Sequence, residues 1–231
     1  KDIGIDLMEW TLDHVDLQHN PLINKKYFSS IHELSKKFGL EIHSVTGDCF
    51  MQAPFFKVYG DERKNLIGEL DTVLQCSVDH NLRLVVFPLV DNSSLKHSGE
   101  LDCLIDVMLS FEEKLTKSNL KIAFESDYGP QELAKFISSF PSNTFGINYD
   151  TGNSASHGYN PVEEIESYGR RICNVHIKDR KLNGPTVPLG EGEANFAKFF
   201  ECLKGTAYNS NLILQTARDK NGHHTKTIQI Y

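Results

Sequence analysis

Short apolar runs rich in Val, Ile, Leu and Phe alternate along this chain with longer stretches whose apolar residues recur at helical spacing. The short runs predict strands over residues 3–9, 41–46, 82–89, 120–125, 144–150, 172–178 and 211–215. The longer stretches predict helices over 24–38, 62–80, 100–117, 131–140, 161–168 and 194–203. Pro130 and Pro161 stand where helices begin, a position that tolerates a missing N–H. Strands that alternate with helices in this way build a parallel sheet covered by helices. The expected architecture is an α/β (β/α)8 barrel with seven of its eight strands visible, since a complete wheel takes about 250 residues and this chain has 231. No Gly/Ser linker or composition break divides it, so residues 1–231 are read as one domain. The chain starts inside a strand and stops just after the last one. The expectation is therefore a wheel truncated at both ends, without its N-terminal strand and C-terminal helix. An open doubly wound sheet is the rival, weakened because no Gly-x-Gly-x-x-Gly turn follows a strand.

In a parallel barrel the C-terminal strand ends form the active face, so polar residues there carry functional weight. The last four strands end on or carry Glu125, Asp150, His176 and Gln215. Strand side chains alternate between faces, which tests each of these against its neighbours. Phe145, Ile147 and Tyr149 share one face, leaving Gly146, Asn148 and Asp150 on the inner one. Ile122 and Phe124 leave Ala123 and Glu125 inside, and Val175 and Ile177 leave Asn174, His176 and Lys178 inside. Leu212 and Leu214 place Ile213 and Gln215 inside as well. Two carboxylates, an imidazole and an amide oxygen make a mixed O/N site suited to a divalent Mn, Mg, Co or Zn ion. Such an ion polarises a carbonyl or hydroxyl pair and stabilises an enediolate. The plain alternative is a set of barrel-mouth residues that satisfy one another.

Charge and cysteine usage narrow the classes further. The net charge is −7, without a basic block, which argues against a nucleic-acid groove. No apolar run approaches the roughly 20 residues that span a bilayer, and Lys1-Asp2-Ile3-Gly4 lacks the apolar core of a signal peptide. Five cysteines with no C-x-x-C pair indicate neither a disulfide framework nor a thiolate zinc site. A soluble cytoplasmic protein is expected, without membrane or nucleic-acid partners. Residues 46–56 are unusually apolar for a loop. They suggest a lid or a subunit contact, leaving room for a homo-oligomer, with core packing as an equal alternative. His223 and His224, in a polar tail without neighbouring acids, are given no role.

Four passages resemble the xylose isomerase-like family of sugar-phosphate isomerases and epimerases: Ile122-Ala123-Phe124-Glu125-Ser126-Asp127, Asp150-Thr151-Gly152-Asn153, Asn174-Val175-His176-Ile177-Lys178-Asp179 and Val187-Pro188-Leu189-Gly190-Glu191-Gly192. The separations of 25 and 26 positions along Glu125, Asp150 and His176 are also similar to the family's. The group also includes tagatose-type ketose 3-epimerases and endonuclease IV. The resemblance implies a TIM barrel, a metal held by Glu125, Asp150, His176 and the residue at 215, and a sugar or sugar phosphate as substrate. In the family's epimerases the first and last ligands are both glutamates that serve as acid and base on opposite faces of the substrate. Here the last is Gln215, whose amide can ligate through oxygen but cannot take up a proton near neutral pH. Glu125 is thus the one catalytic base, and isomerisation is placed ahead of 3-epimerisation. A catalytically reduced sugar-binding barrel is a third reading, and a dehydratase would use the same metal. Endonuclease IV needs three metals and a basic face, which this sequence lacks. Asn153 stands where ketose epimerases often have His, and His157 in the next turn is a substitute candidate. Lys178, Arg180 and Arg218, beside Gly190 and Gly192 in the last two loops, would suit a phosphate, unless the arginines pair with Asp179 and Asp219. Glu9 and Asp48 are candidate contacts to substrate hydroxyls, while Trp10 is read as packing.

Overall fold

The computed structural model describes residues 4–217 and Gly222. Its strands are β1 (Leu7–Thr11), β2 (Glu41–Thr46), β3 (Leu84–Leu89), β4 (Lys121–Ser126), β5 (Phe145–Asp150), β6 (Ile172–Ile177), β7 (Asp179–Arg180), β8 (Thr186–Val187) and β9 (Leu212–Leu214). The helices are α1 (Phe28–Phe38), α2 (Asp48–Gln52), α3 (Gly60–Asp79), α4 (Ser98–Ser110), α5 (Glu112–Ser118), α6 (Pro130–Ser138), α7 (Thr151–His157), α8 (Pro161–Tyr168) and α9 (Phe196–Lys204). Seven strands form one sheet in the order of the chain, β1-β2-β3-β4-β5-β6-β9, while β7 and β8 make a separate antiparallel pair. The registers of β1 with β2, β2 with β3, β3 with β4, β5 with β6 and β6 with β9 are all parallel, at least one helix stands between successive members, and the fold is that of a TIM barrel.

Strands covered on both faces read as continuous apolar runs. β3, Leu-Val-Val-Phe-Pro-Leu, is such a run and is buried at all six positions. Helix boundaries follow local chemistry. Asn160 caps α8 by accepting from the Val162 N–H, with Pro161 at the first helical position. Gly39 ends α1 at φ 62°.

The described chain divides into two compact units. In the first, Ile5–Ser126 with Ser139–Gly146, the core is aromatic: Phe50 stacks on Phe87 at 4.7 Å and Phe124 on Phe145 at 5.9 Å. Phe50, Phe55 and Phe56 are buried there. Of the alternatives for the 46–56 segment, its phenylalanines take core packing, folding inward through α2 and the turn after it. In the second unit, Asp127–Ser138 with the described residues from Ile147 onward, Tyr149 stacks on Phe199 at 4.7 Å.

Several element assignments from sequence shift, α2 and the β7–β8 pair being further unexpected elements. The first strand begins at Leu7, preceded by Gly4 at φ 73°, so Glu9 lies inside it and not at its end. The helix expected over 100–117 divides at Phe111 into α4 and α5. α7 has no apolar periodicity and was not expected. No helix among the described residues is long and apolar enough to cross a membrane.

Candidate metal centre

Asp150, the last residue of β5, pairs in register with His176 of β6, which brings the two side chains side by side on one face of the sheet. Oδ2 of Asp150 lies 4.0 Å from Nδ1 of His176. Its other oxygen, Oδ1, accepts from the N–H groups of Gly152 and Asn153 at 2.8 Å each and so caps α7. One carboxylate oxygen is thus held by the helix N-terminus, a favourable place for negative charge, and the other faces the imidazole. Lys178 Nζ also approaches Oδ2, at 3.4 Å. The lysine stem lies over Gly152, where a Cβ would press on it at 2.7 Å.

His176 is oriented by two asparagines. Asn174 Nδ2 donates to Asn148 Oδ1 at 2.9 Å, and Asn148 Nδ2 stands 3.1 Å from His176 Nδ1. Thr151 fixes the strand end beyond, donating to the Lys178 carbonyl at 2.6 Å and accepting from its N–H at 2.9 Å. Glu125, Asp150 and His176 are all buried, and each offers a ligand atom within 4.8 Å of the other two. This Glu/Asp/His cluster could hold a metal ion.

Gln215 follows β9. Its N–H donates to the Ile177 carbonyl at 3.0 Å, continuing a ladder in which Ile213 pairs with His176, so Gln215 and His176 share a face. The amide oxygen of Gln215 is buried and meets no hydrogen-bond donor. A buried acceptor left in that state costs about 1–3 kcal/mol, and a cation on that face would offset the cost. The donor set, carboxylate and amide oxygens with one imidazole nitrogen, fits a hard or borderline divalent ion.

The remaining candidates have varied surroundings. Both oxygens of Glu9 accept hydroxyl bonds, from Ser44 Oγ and Thr46 Oγ1 at 2.6 Å each. Asp48 is the half-buried first residue of α2. Asn153, buried in the first turn of α7, accepts from Arg180 Nη1 at 2.9 Å. Nε and Nη2 of the same guanidinium donate to the Gly184 carbonyl at 3.1 and 2.9 Å. Arg180 therefore binds its own hairpin and Asn153, not Asp179. His157 ends α7, about 9 Å along the helix from its start, where it stacks on Tyr159. Arg218, Asp219, His223 and His224 lie outside the described residues.

The sequence placed Asn148 and Asn174 on the inner face but assigned them no role, and marked Thr151 only as part of a passage that resembles the family. It also missed Glu164, which sits behind β5 and is 3% exposed. Glu164 accepts from the hydroxyls of Tyr149 (2.7 Å), Ser154 (2.5 Å) and Tyr168 (2.8 Å). Burial raises its pKa above the usual carboxylate value against the opposing effect of these bonds. The five cysteines are all free. Burial pushes the Cys49 thiol far above its ordinary range, which removes it as a nucleophile.

A family model described as xylose isomerase-like TIM barrel matches residues 1–229. An inosose dehydratase of Clostridium botulinum (strain Alaska E43 / Type E3) is 22% identical over 230 residues, covering 85% of this chain and 77% of that protein. A putative L-ribulose-5-phosphate 3-epimerase, SgbU, of Haemophilus influenzae is 21% identical over 237 residues, covering 96% of this chain and 82% of its own. Among solved structures, the IOLI protein with a bound zinc atom superposes with a TM-score of 0.74 at 17% identity, over 99% of this chain and 86% of that one.

Proposed function

The chain belongs to the xylose isomerase-like TIM-barrel family, and on that premise we propose that it is a metal-dependent sugar isomerase acting through an enediolate. The observation that carries this reading is the buried group of Glu125, Asp150 and His176 at the ends of three strands. These residues would hold the ion, with the unmet amide oxygen of Gln215 as a fourth donor. A bound divalent cation supplies Lewis acidity, which polarises a substrate carbonyl and acidifies the neighbouring C–H. Glu125 takes the proton from that carbon and returns it to the former carbonyl carbon on the same face, while the hydroxyl proton of the first carbon passes to the former carbonyl oxygen. Asp150, with one oxygen committed to the cap of α7, is a fixed ligand and not a base. Gln215 cannot take up a proton, so no second base stands at the place where 3-epimerases carry one. Glu9, positioned by Ser44 and Thr46, offers a carboxylate to sugar hydroxyls.

A second reading, dehydration of a keto polyol, is favoured by the ammonium of Lys178 beside Asp150 and by the inosose dehydratase relative that spans most of the chain. It shares the first step. Glu125 removes the proton next to the carbonyl, and the hydroxyl on the following carbon leaves with a proton from Lys178 as water.

Incubation with Mn²⁺, ketoses and keto polyols in D₂O tests both. Deuterium entering the carbon next to the carbonyl is expected, with an aldose product for isomerisation and an unsaturated product for dehydration. Glu125→Gln should reduce exchange by about 10²–10⁴-fold, the usual contribution of a positioned base. Exchange that survives this substitution would contradict the assignment.

A further inference from the structure

α7 has no apolar stripe to seat it, and at seven residues it is too short to be stable by itself. Its first six residues are nonetheless buried, so polar ties have to hold it against the sheet. The tie from behind β5 is the Glu164 carboxylate of α8, a buried group that the chemistry at the strand ends leaves unused. Its Oε2 accepts from two hydroxyls at once, Tyr149 on β5 and Ser154 on α7, and these hydroxyls also approach each other at 3.2 Å. Oε1 accepts from Tyr168, four residues on in α8, so the carboxylate is fixed through both oxygens. α8 is itself secured at its start by Asn160 and Pro161. Burial pushes both tyrosine hydroxyls above their ordinary range, which keeps them protonated and donating.

The two residues that meet at Oε2 bracket the turn that carries Asp150. Tyr149 precedes Asp150 and, by strand alternation, points to the opposite face of the sheet. Ser154 follows directly on Asn153, whose N–H, with that of Gly152, donates to Asp150 Oδ1. A shared acceptor at Oε2 sets the angle between the end of β5 and the first turn of α7, and with it the direction of those two N–H groups. We propose that Glu164 is a positioning residue, which through Tyr149 and Ser154 aligns the Asp150 carboxylate with the imidazole of His176. The inference rests on the metal reading of Asp150 and adds the device that holds this ligand from the opposite face of the sheet. Apolar packing can fill the space behind β5 but cannot prescribe the spacing of two hydroxyls, whereas a shared hydrogen-bond acceptor does.

The test compares the wild type with Glu164→Leu, which keeps bulk and removes both acceptors, and with Glu164→Gln, which keeps a carbonyl oxygen for Tyr149 and Ser154. Hydrogen exchange of the Gly152 and Asn153 amides, followed by NMR, reads the alignment without any metal. In Glu164→Leu these two amides should exchange faster by about tenfold or more, while those of β6 change far less, and Glu164→Gln should restore most of the protection. Mn²⁺ affinity, measured by calorimetry, should fall by about 10–100-fold in Glu164→Leu. The absorption spectrum of the Co²⁺-loaded protein should change with it and return in Glu164→Gln. Unchanged exchange in Glu164→Leu, an acceleration shared equally by β6, or no recovery in Glu164→Gln would each overturn the proposal. Should Glu164→Leu not fold, Ser154→Ala removes only the arm to α7 and should speed the same two amides by less; wild-type rates there would overturn the proposal equally. A wild type that binds no Mn²⁺ would sink the metal reading, while the exchange rates still decide whether Glu164 aligns the turn.

Discussion

At the ends of β5 and β6 the inward side chains are held before any ligand arrives, whereas at the end of β9 the corresponding side chain has an acceptor that nothing meets. Asp150 is fixed by two N–H groups of α7, and His176 by the Asn174–Asn148 pair. Gln215 keeps a buried amide oxygen without a donor. The packing follows the same division. All six residues of β5 are buried, while Leu212 and Leu214 of the three-residue β9 are 49% and 43% exposed. Preset ligands give an ion its place and geometry, because the cost of ordering them has been met in folding. An unmet acceptor adds attraction and leaves the position adjustable.

The comparison breaks if the held ligands gain nothing from being held. Asn148→Ala frees the imidazole of His176 and should lower Mn²⁺ affinity by about 10–100-fold, with thermal unfolding reporting that the fold persists. An unchanged affinity would mean that the asparagine pair serves packing alone. The adjustable end is sharpened by Gln215→Glu. A carboxylate is the stronger ligand for a hard cation, so affinity should rise, by about tenfold, and a second base would bring 3-epimerised product into the NMR spectrum. Efficient 3-epimerisation by the wild type would refute the single-base account. The smallest effect is expected behind β5, at Glu164. Its pKa is raised chiefly by burial, so the folded protein holds that proton more tightly than the unfolded chain. Stability from this group is full below the unfolded value of about 4.3 and is lost as pH rises through the folded one. Denaturation of Glu164→Gln across that window should show a flatter pH dependence than the wild type, with a difference near neutral pH within about 1 kcal/mol.

The barrel was legible because its signals are local. β2 has the bounds the sequence predicts, and strict alternation in β5 and β6 places Asp150 and His176 on one face from identity alone. Pro130 and Pro161 mark helix starts for the same reason. What stayed hidden depends on partners distant in sequence or on backbone geometry. α7 is built from Thr, Gly, Asn, Ser and Ala, with no apolar period, and it exists because Asp150 caps it while Thr151 ties it to β6. Asp179 and Arg180 look like a phosphate-side acid and base in sequence. Only the fold of the loop turns the acid onto its own backbone and the guanidinium onto Gly184. The apolar 46–56 segment was ambiguous because phenylalanines that line a lid and phenylalanines that fill a core have the same pattern.

The account depends on one divalent ion sharing Glu125, Asp150 and His176, and calorimetric titration of metal-free protein with Mn²⁺ addresses it directly. One ion per chain should bind the wild type, and His176→Ala, still folded by circular dichroism, should lose that binding. A wild type that takes up no ion, or a His176→Ala variant that binds as tightly as the wild type, would contradict it.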